Sequence, residues 1–228
     1  MSDRLRVLVC DDEPQILRAL RVILREAGFE VLPAATAREA LDSAALQRPD
    51  AAIVDLVLPD GDGVEVCRSL REWTEMPIVV LSAVGEETEK VRALNAGADD
   101  YVTKPFGQSE LMARLNAVLR RAAPKERSEP VLAADGLELD LTAHEVRRDG
   151  EPVHLTPIEF ELLHTMMRNR RRLMTHRALL TEVWGPAYAS DTQTLRVHVA
   201  NLRRKLEPDP GTPRYITTEA GVGYRFES

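Results

Sequence analysis

Residues 51–63 read AAIVDLVLPDGDG, an apolar run of strand length that ends in a single carboxylate, Asp55, and breaks at once into a turn of Pro, Gly and Asp. A charge buried at that place costs several kcal/mol unless something pairs with it. The rest of the chain has to supply the partner. Outward from this stretch, short β-branched runs alternate with amphipathic ones. RVLVCD precedes EPQILRALRVILREAG, FEVLPA precedes TAREALDSAALQ, AAIVDL precedes GVEVCRSLREW, MPIVVLS precedes EETEKVRALNAG, and DDYVT precedes GQSELMARLNAVLRR. Such strand–helix pairs make an α/β domain, a doubly wound (βα)5 unit with helices on both faces of an open parallel sheet. The helix boundaries have local support. Thr36 and Glu39 have capping-box spacing, Gly28 and Gly97 stand where helices stop, and Ile16, Leu20, Ile23, Leu24 and Ala27 keep one face apolar.

Residues 122–130, AAPKERSEP, hold two prolines, four charges and no large apolar side chain, and read as a linker. As a flexible chain it spans about 17 Å root-mean-square, which keeps its two flanks tethered neighbours. Beyond it, brief strand-like pieces are punctuated by Asp135-Gly136 and Asp149-Gly150. Helical periodicity then takes over. Thr156-Pro157-Ile158-Glu159 combines an N-cap, a proline at the first helical position and a glutamate three residues on. Further helices fit Thr175–Val183 and Asp191–Leu206, and PRYITTEAGVGYRF fits a Gly-containing hairpin. Three helices and a hairpin outline a winged helix-turn-helix, so the expected domains are 1–121, a linker at 122–130, and 131–228.

Length agrees, since 228 residues suit two domains. Apolar residues make up 44% and aromatics 4%, so the core rests on Leu, Val, Ile and Ala rather than on disorder or aromatic packing. No apolar run reaches the roughly 18–20 residues of a membrane span and no signal-peptide pattern opens the chain, which gives a cytoplasmic reading. Cys10 and Cys67 lack metal-ligand spacing and read as packing residues. The net charge of −7 is uneven: residues 1–121 carry 15 Lys/Arg against 21 Asp/Glu, and residues 131–228 carry 13 against 14 with the cations clustered.

If the strand order is 2-1-3-4-5, Asp11 and Asp12 lie beside Asp55 at the carboxyl edge of the sheet, where ligands of such folds bind. Three adjacent carboxylates call for a divalent cation, and Mg²⁺ suits carboxylates completed by water and phosphate oxygens. Ser82 ends the fourth strand and Lys104 follows the fifth at the same edge. A hydroxyl, an ammonium and a metal around one carboxylate suit phosphoryl transfer with Asp55 as acceptor. Each residue alone has a plainer reading, Asp12 as a helix cap, Ser82 as a loop residue and Lys104 as a solvated cation.

On the last helix Leu195, Val199, Leu202 and Leu206 fix a buried stripe. The opposite face then carries Gln193, Val197, Asn201 and Arg204, flanked by Thr194, Arg196, His198, Arg203 and Lys205. An apolar back and a cationic front fit a DNA major groove, with Arg204 able to pair with guanine and Asn201 with adenine. The run RNRRR at 168–172 could also meet phosphates, or be simply a solvated surface.

The segments CDDEP (10–14), DLVLPDGDG (55–63), LSA (81–83) and GADDYVTKPF (97–106) resemble the receiver signature of two-component response regulators. HLTPIEFELL, TEVWGPAY and EAGVGYRF resemble the OmpR/PhoB class, and within it the KdpE-type potassium-response group. The resemblance implies phosphorylation of Asp55 by a histidine kinase, Mg²⁺ on Asp11, Asp12, Asp55 and the Val57 carbonyl, a phosphoryl grip by Ser82 and Lys104, and a cis Lys104–Pro105 bond. It implies a switch through Tyr101 and a two-fold dimer through Lys90, Val91, Leu94, Asp100, Glu110, Leu111 and Arg114. Double-stranded promoter DNA and RNA polymerase are the further partners. Val57 and Val84, apolar at positions where relatives vary, are expected to slow attack by water. Two departures stand out. Asn116 replaces a common basic residue and leaves Asp99 without an obvious partner, and Ala220 occupies the wing position where an Arg often enters the minor groove, so that Arg214 and Arg225 become the nearest basic substitutes. Two other readings stay open: a Mg²⁺-dependent phosphatase, which lacks a second Asp two residues after Asp55, and a partner-controlled DNA-binding protein with a vestigial pocket.

Overall fold

The structure is a computed structural model that describes residues 4–83, 87–122 and 131–227. It divides into two compact units, 1–122 and 123–228. Val84 and residues 123–130 of the expected linker lie outside the described residues.

In the first unit β1 (Arg6–Cys10), β2 (Glu30–Ala34), β3 (Ala51–Asp55), β4 (Ile78–Ala83) and β5 (Asp100–Lys104) form a parallel sheet in the order β2-β1-β3-β4-β5. The intervening helices are α1 (Pro14–Glu26), α2 (Ala37–Gln47), α3 (Gly63–Arg71), α4 (Glu87–Asn95) and α5 (Gln108–Ala122). Period-two alternation splits the strand residues between two faces. Val7, Val9, Ile53, Val79, Leu81 and Val102 form one core cluster with Leu20 and Leu24 of α1 and with Leu111, Leu115 and Val118 of α5. The alternate residues Leu8, Val54 and Val80 are equally buried, and α2, α3 and α4 pack on that side. Because both faces are covered, AAIVD is buried throughout and reads as a continuous apolar run.

The expected caps form. Thr36 Oγ1 accepts from the Glu39 amide at 3.1 Å, and the Glu39 carboxylate reaches one residue further back, to the Ala35 amide at 2.7 Å. Asp12 does not cap α1. The N-cap is Glu13, whose amide donates to Asp11 Oδ1 at 2.9 Å.

The second unit opens with an antiparallel sheet of β6 (Val131–Ala134), β7 (Leu137–Asp140), β8 (Glu145–Arg148) and β9 (Glu151–Pro152). Its hairpins turn on Asp135-Gly136 and Asp149-Gly150, where both residues of each pair have positive φ, as a tight two-residue turn of matching twist requires. Then come α6 (Pro157–Arg168), β10 (Leu173–Thr175), α7 (His176–Val183), a short 3-10 turn at Pro186–Tyr188, α8 (Thr192–Leu206), β11 (Ile216–Glu219) and β12 (Gly223–Phe226). The reciprocal Thr156/Glu159 capping box starts α6. The hairpin gains a third strand, giving the order β10-β12-β11. With only three residues, β10 has no periodicity to read in sequence.

Candidate functional site

The register of the parallel sheet builds the pocket. Cys10 lies opposite Val54, and the next residues, Asp11 and Asp55, leave their strands side by side. Ser82 and Ala83 lie opposite Thr103 and Lys104 at the same edge. Asp11, Asp12 and Asp55 each offer a carboxylate oxygen within 4.8 Å of the others. Asp11 is fully buried and Asp55 is 7% exposed, while Asp12 is exposed. Lys104 Nζ bridges the two buried carboxylates, 2.8 Å from Asp11 Oδ2 and 3.1 Å from Asp55 Oδ2, with Glu13 further off at 3.7 Å. The question posed by the lone carboxylate of β3 is thereby answered: its partner is an ammonium 49 residues away in sequence, carried there by β5.

One cation does not balance this pocket. Burial pushes Asp55 up to about 6, against the lowering pull of Lys104. Burial alone would lower Lys104, but its bonds and charge contacts with Asp11 and Asp55 outweigh that and raise it. The Ser82 hydroxyl is buried and, among the described residues, has no hydrogen-bond partner. A buried polar group left this way is costly, and points to a ligand acceptor that the protein does not itself provide. The Asp11, Asp12 and Asp55 carboxylates are hard oxygen donors, the class that suits Mg²⁺ or Ca²⁺. Val57 follows at the start of a two-residue ribbon, Val57–Leu58 against Gly61–Asp62, with its side chain exposed. The Lys104–Pro105 peptide is cis.

Next to the pocket, β5, α4 and α5 carry the residues expected in a dimer. In the single chain they contact one another. Arg114 pairs with Asp100 at 2.9 Å and with Glu110 at 3.2 Å, and its guanidinium lies 5.4 Å from the Tyr101 ring centroid, with Lys90 Nζ 4.9 Å from the same ring. Two apolar assignments need correction. Leu111 belongs to the core cluster beneath α5 and Leu94 is buried, so neither offers surface to a partner, whereas Val91 is half-buried and Ala113 is exposed. Ala113 went unnoticed in the sequence, although it lies three residues from Glu110 on the same side of the helix. Asp99 does have a partner. Arg71 of α3 pairs with it at 2.6 Å, and the same guanidinium donates to the carbonyls of Gly97 and Met76. Nothing local to Asp99 signals a partner 28 residues earlier.

On α8 the exposed residues are Gln193, Arg196, Ala200 and Arg204. The buried arc is wider than the leucine stripe because α8 packs on both α6 and α7. Thr194, Val197, His198 and Asn201, expected on or beside the DNA-facing side, are buried; the Thr194 hydroxyl donates to Asp191 and the His198 ring lies 5.5 Å from that of Trp184. Four cations expected at the DNA, Arg203 and Lys205 beside the α8 face and Arg214 and Arg225 in the wing, are engaged within the chain. Arg203 donates to the Ile216 carbonyl and Thr218 Oγ1, Lys205 to Glu159 at 2.6 Å, Arg214 to Asp135, and Arg225 to Glu219 at 3.1 Å. Arg170 and Arg171 of the RNRRR run are exposed and border a cleft with Arg214, Asp135 and Glu227, a wall of mixed charge.

Residues 7–116 match the family of response regulator receiver domains, and residues 150–226 match the C-terminal domain of transcriptional regulatory proteins. The chain belongs to the two-component response regulators of the OmpR/PhoB type, DNA-binding transcription regulators rather than enzymes. Within that class it is 52% identical to the transcriptional regulatory protein KdpE of Mycobacterium tuberculosis, over 97% of this chain and 99% of that protein. It is 47% identical to the KDP operon transcriptional regulatory protein KdpE of Escherichia coli, over 96% and 98%. Among solved structures the fold matches a mutant of RitR with TM-score 0.76, at 26% identity over 98% and 99% of the two chains. It also matches Thermotoga maritima DrrB, an OmpR/PhoB homologue, with TM-score 0.54 at 30% identity over 99% and 100%. Among the described residues no helix is long and apolar enough to cross a membrane.

Proposed function

We propose that this regulator is switched by phosphorylation of Asp55 and controls potassium-uptake genes. The observation that carries the switch is the buried Ser82 hydroxyl, unpartnered among the described residues, at one edge with Lys104 and the Asp11/Asp12/Asp55 group. A carboxylate oxygen of Asp55 forms the new bond to phosphorus as the bond to the histidine kinase's imidazole nitrogen breaks, and the imidazole leaves. No general base is required, because above pH 6 the carboxylate is already ionised. Ser82 donates to a phosphoryl oxygen, and Lys104 exchanges part of its carboxylate contact for the incoming anion. Asp11, Asp12, Asp55 and the Val57 carbonyl would hold Mg²⁺, which when bound neutralises charge on the donor's phosphoryl oxygens.

The phosphoryl group adds roughly −1.5 to −2 charges and three acceptors. Drawing Ser82 toward them frees space at the β4 edge for Tyr101, which takes its ring away from Lys90 and Arg114. Those cations, with Asp100 and Glu110, then re-pair across a two-fold homodimer around Val91 and Ala113. Promoter DNA is read by Gln193, Arg196 and Arg204 of α8, and RNA polymerase is the downstream partner. The potassium assignment is supported by the similarity to the two KdpE proteins.

Intact mass after incubation with acetyl phosphate tests this. The expected result is one phosphoryl adduct on the wild type, absent without Mg²⁺ and absent in Asp55→Asn. No adduct under any condition would leave a partner-controlled DNA-binding protein with a vestigial pocket.

A further inference from the structure

Ile216, the first residue of β11, is held at both of its backbone polar groups by the last turn of α8. Its amide donates to Glu207 Oε1 at 2.8 Å, and its carbonyl accepts from Arg203 Nε and Nη2 at 2.9 and 2.5 Å. Arg203 also donates to Thr218 Oγ1 at 2.7 Å, two residues along the same strand, and its guanidinium lies 5.7 Å from the Tyr224 ring centroid. The buried Glu207 carboxylate further accepts the amides of Arg214 and Tyr215, at 2.8 and 2.9 Å. The reason lies in the sheet. With the order β10-β12-β11, the outer edge of β11 has no neighbouring strand among the described residues, and at Ile216, where that edge is buried, the amide and carbonyl must find other partners. Arg203 and Glu207, four apart and so on one side of the helix, take that strand's place. The other end of the hairpin is tied to the second helix: the His176 amide at the start of α7 donates to Val222 O at 3.0 Å, and β10 pairs with β12.

We propose that Arg203 and Glu207 are positioning residues that brace α8 against α7 through the hairpin, fixing the helix for base reading, and that Arg203 is not a phosphate contact. This rests on α8 being the DNA-facing helix. The guanidinium spends three of its five N–H donors, those of Nε and Nη2, on a backbone carbonyl and a hydroxyl, so turning the fork toward a phosphate would break the brace. Loss of the brace lets α8 rock. Contacts with phosphates tolerate that, while bidentate contacts with base edges do not.

The test uses the full chain and two duplexes, one selected from a random library by the wild-type protein and one of random sequence. Affinity is measured across salt. Each lost phosphate contact flattens the slope of log K against log salt by about 0.9. The brace predicts that Arg203→Met weakens the selected duplex on the order of tenfold, leaves the random duplex unchanged, and keeps the salt slope. Arg203→Lys, which retains the charge but not the fork, gives no rescue. A slope that falls in Arg203→Met and returns in Arg203→Lys would overturn the proposal, as would unchanged affinity for both duplexes. Should Arg203→Met fail to fold, Thr218→Val decides: it changes no charge, and a loss of about threefold on the selected duplex alone is expected, while no loss counts against the brace. Arg196→Gln and Arg204→Gln check the underlying reading separately. If neither flattens the slope, α8 is not the DNA-facing helix, whatever Arg203 does.

Discussion

Asp55 carries a conflict that a single residue can report. Its folded value of about 6 lies above the ordinary 3.8, with burial as the largest cause, so the folded state holds the proton more tightly than the unfolded one. Between those two values stability therefore falls as pH rises, and above pH 6 the ionised carboxylate is a standing cost. In metal-free buffer Asp55→Asn should be more stable than the wild type at pH 7.5 by about 3 kcal/mol, with the gap closing below pH 4. Denaturant melts at the two pH values check it, and a gap independent of pH would place the strain elsewhere. Mg²⁺ should raise the unfolding temperature of the wild type and have far less effect on the variant. Arg71 offers the opposite case, a buried cation that pairs with Asp99 and donates to the carbonyls of Thr74, Met76 and Gly97 at once. Arg71→Met leaves Asp99 buried without its guanidinium and should cost about 3 kcal/mol in urea unfolding.

At the scale of elements, the join of β10 to β12 depends on one close approach. A Cβ on Gly223 would lie 1.9 Å from the Met174 carbonyl oxygen of β10, far inside any tolerated approach. Gly223→Ala should therefore separate β10 from β12 and abolish sequence-specific DNA binding, while the phosphoryl adduct still forms on Asp55 in the other unit. Loss of both activities together would mean that the units do not fold separately. Such elements also show what could be read from sequence. The five strands, their helices, the capping box of α6 and both Asp-Gly turns were legible because period, cap chemistry and turn residues act within a few positions. The strand β10, the partner of Asp99 and the engagement of Arg203 and Lys205 were not, because each is a contact between segments whose spacing carries no local signal.

For the whole molecule, geometry sets one demand on the linker. In the proposed homodimer the receivers pair two-fold, and the family resemblance implies that the DNA-binding domains read direct repeats; on that reading residues 122–130 have to absorb the difference in symmetry. Removing three of them should spare phosphorylation of Asp55 yet reduce cooperative binding to tandem half-sites several-fold, measured by titration of a two-site duplex against a one-site duplex. Equal cooperativity in the shortened chain would show that the symmetry is reconciled elsewhere.

Sequence by itself determined the two-part plan and the alternation of strands and helices; only with the order 2-1-3-4-5 assumed did it gather Asp11, Asp12, Asp55, Ser82 and Lys104 at one edge, because in a parallel sheet strand ends converge wherever the order places them. It also placed α8 and its leucine stripe. Only the tertiary structure decided which charges are spent inside the chain. Lys104 bridges two carboxylates, Arg71 takes Asp99, Arg114 takes Asp100 and Glu110, and Arg203 with Glu207 closes an open strand edge. A cation reads the same in sequence whether it meets solvent, DNA or a carbonyl, and only the approach of a distant segment settles which.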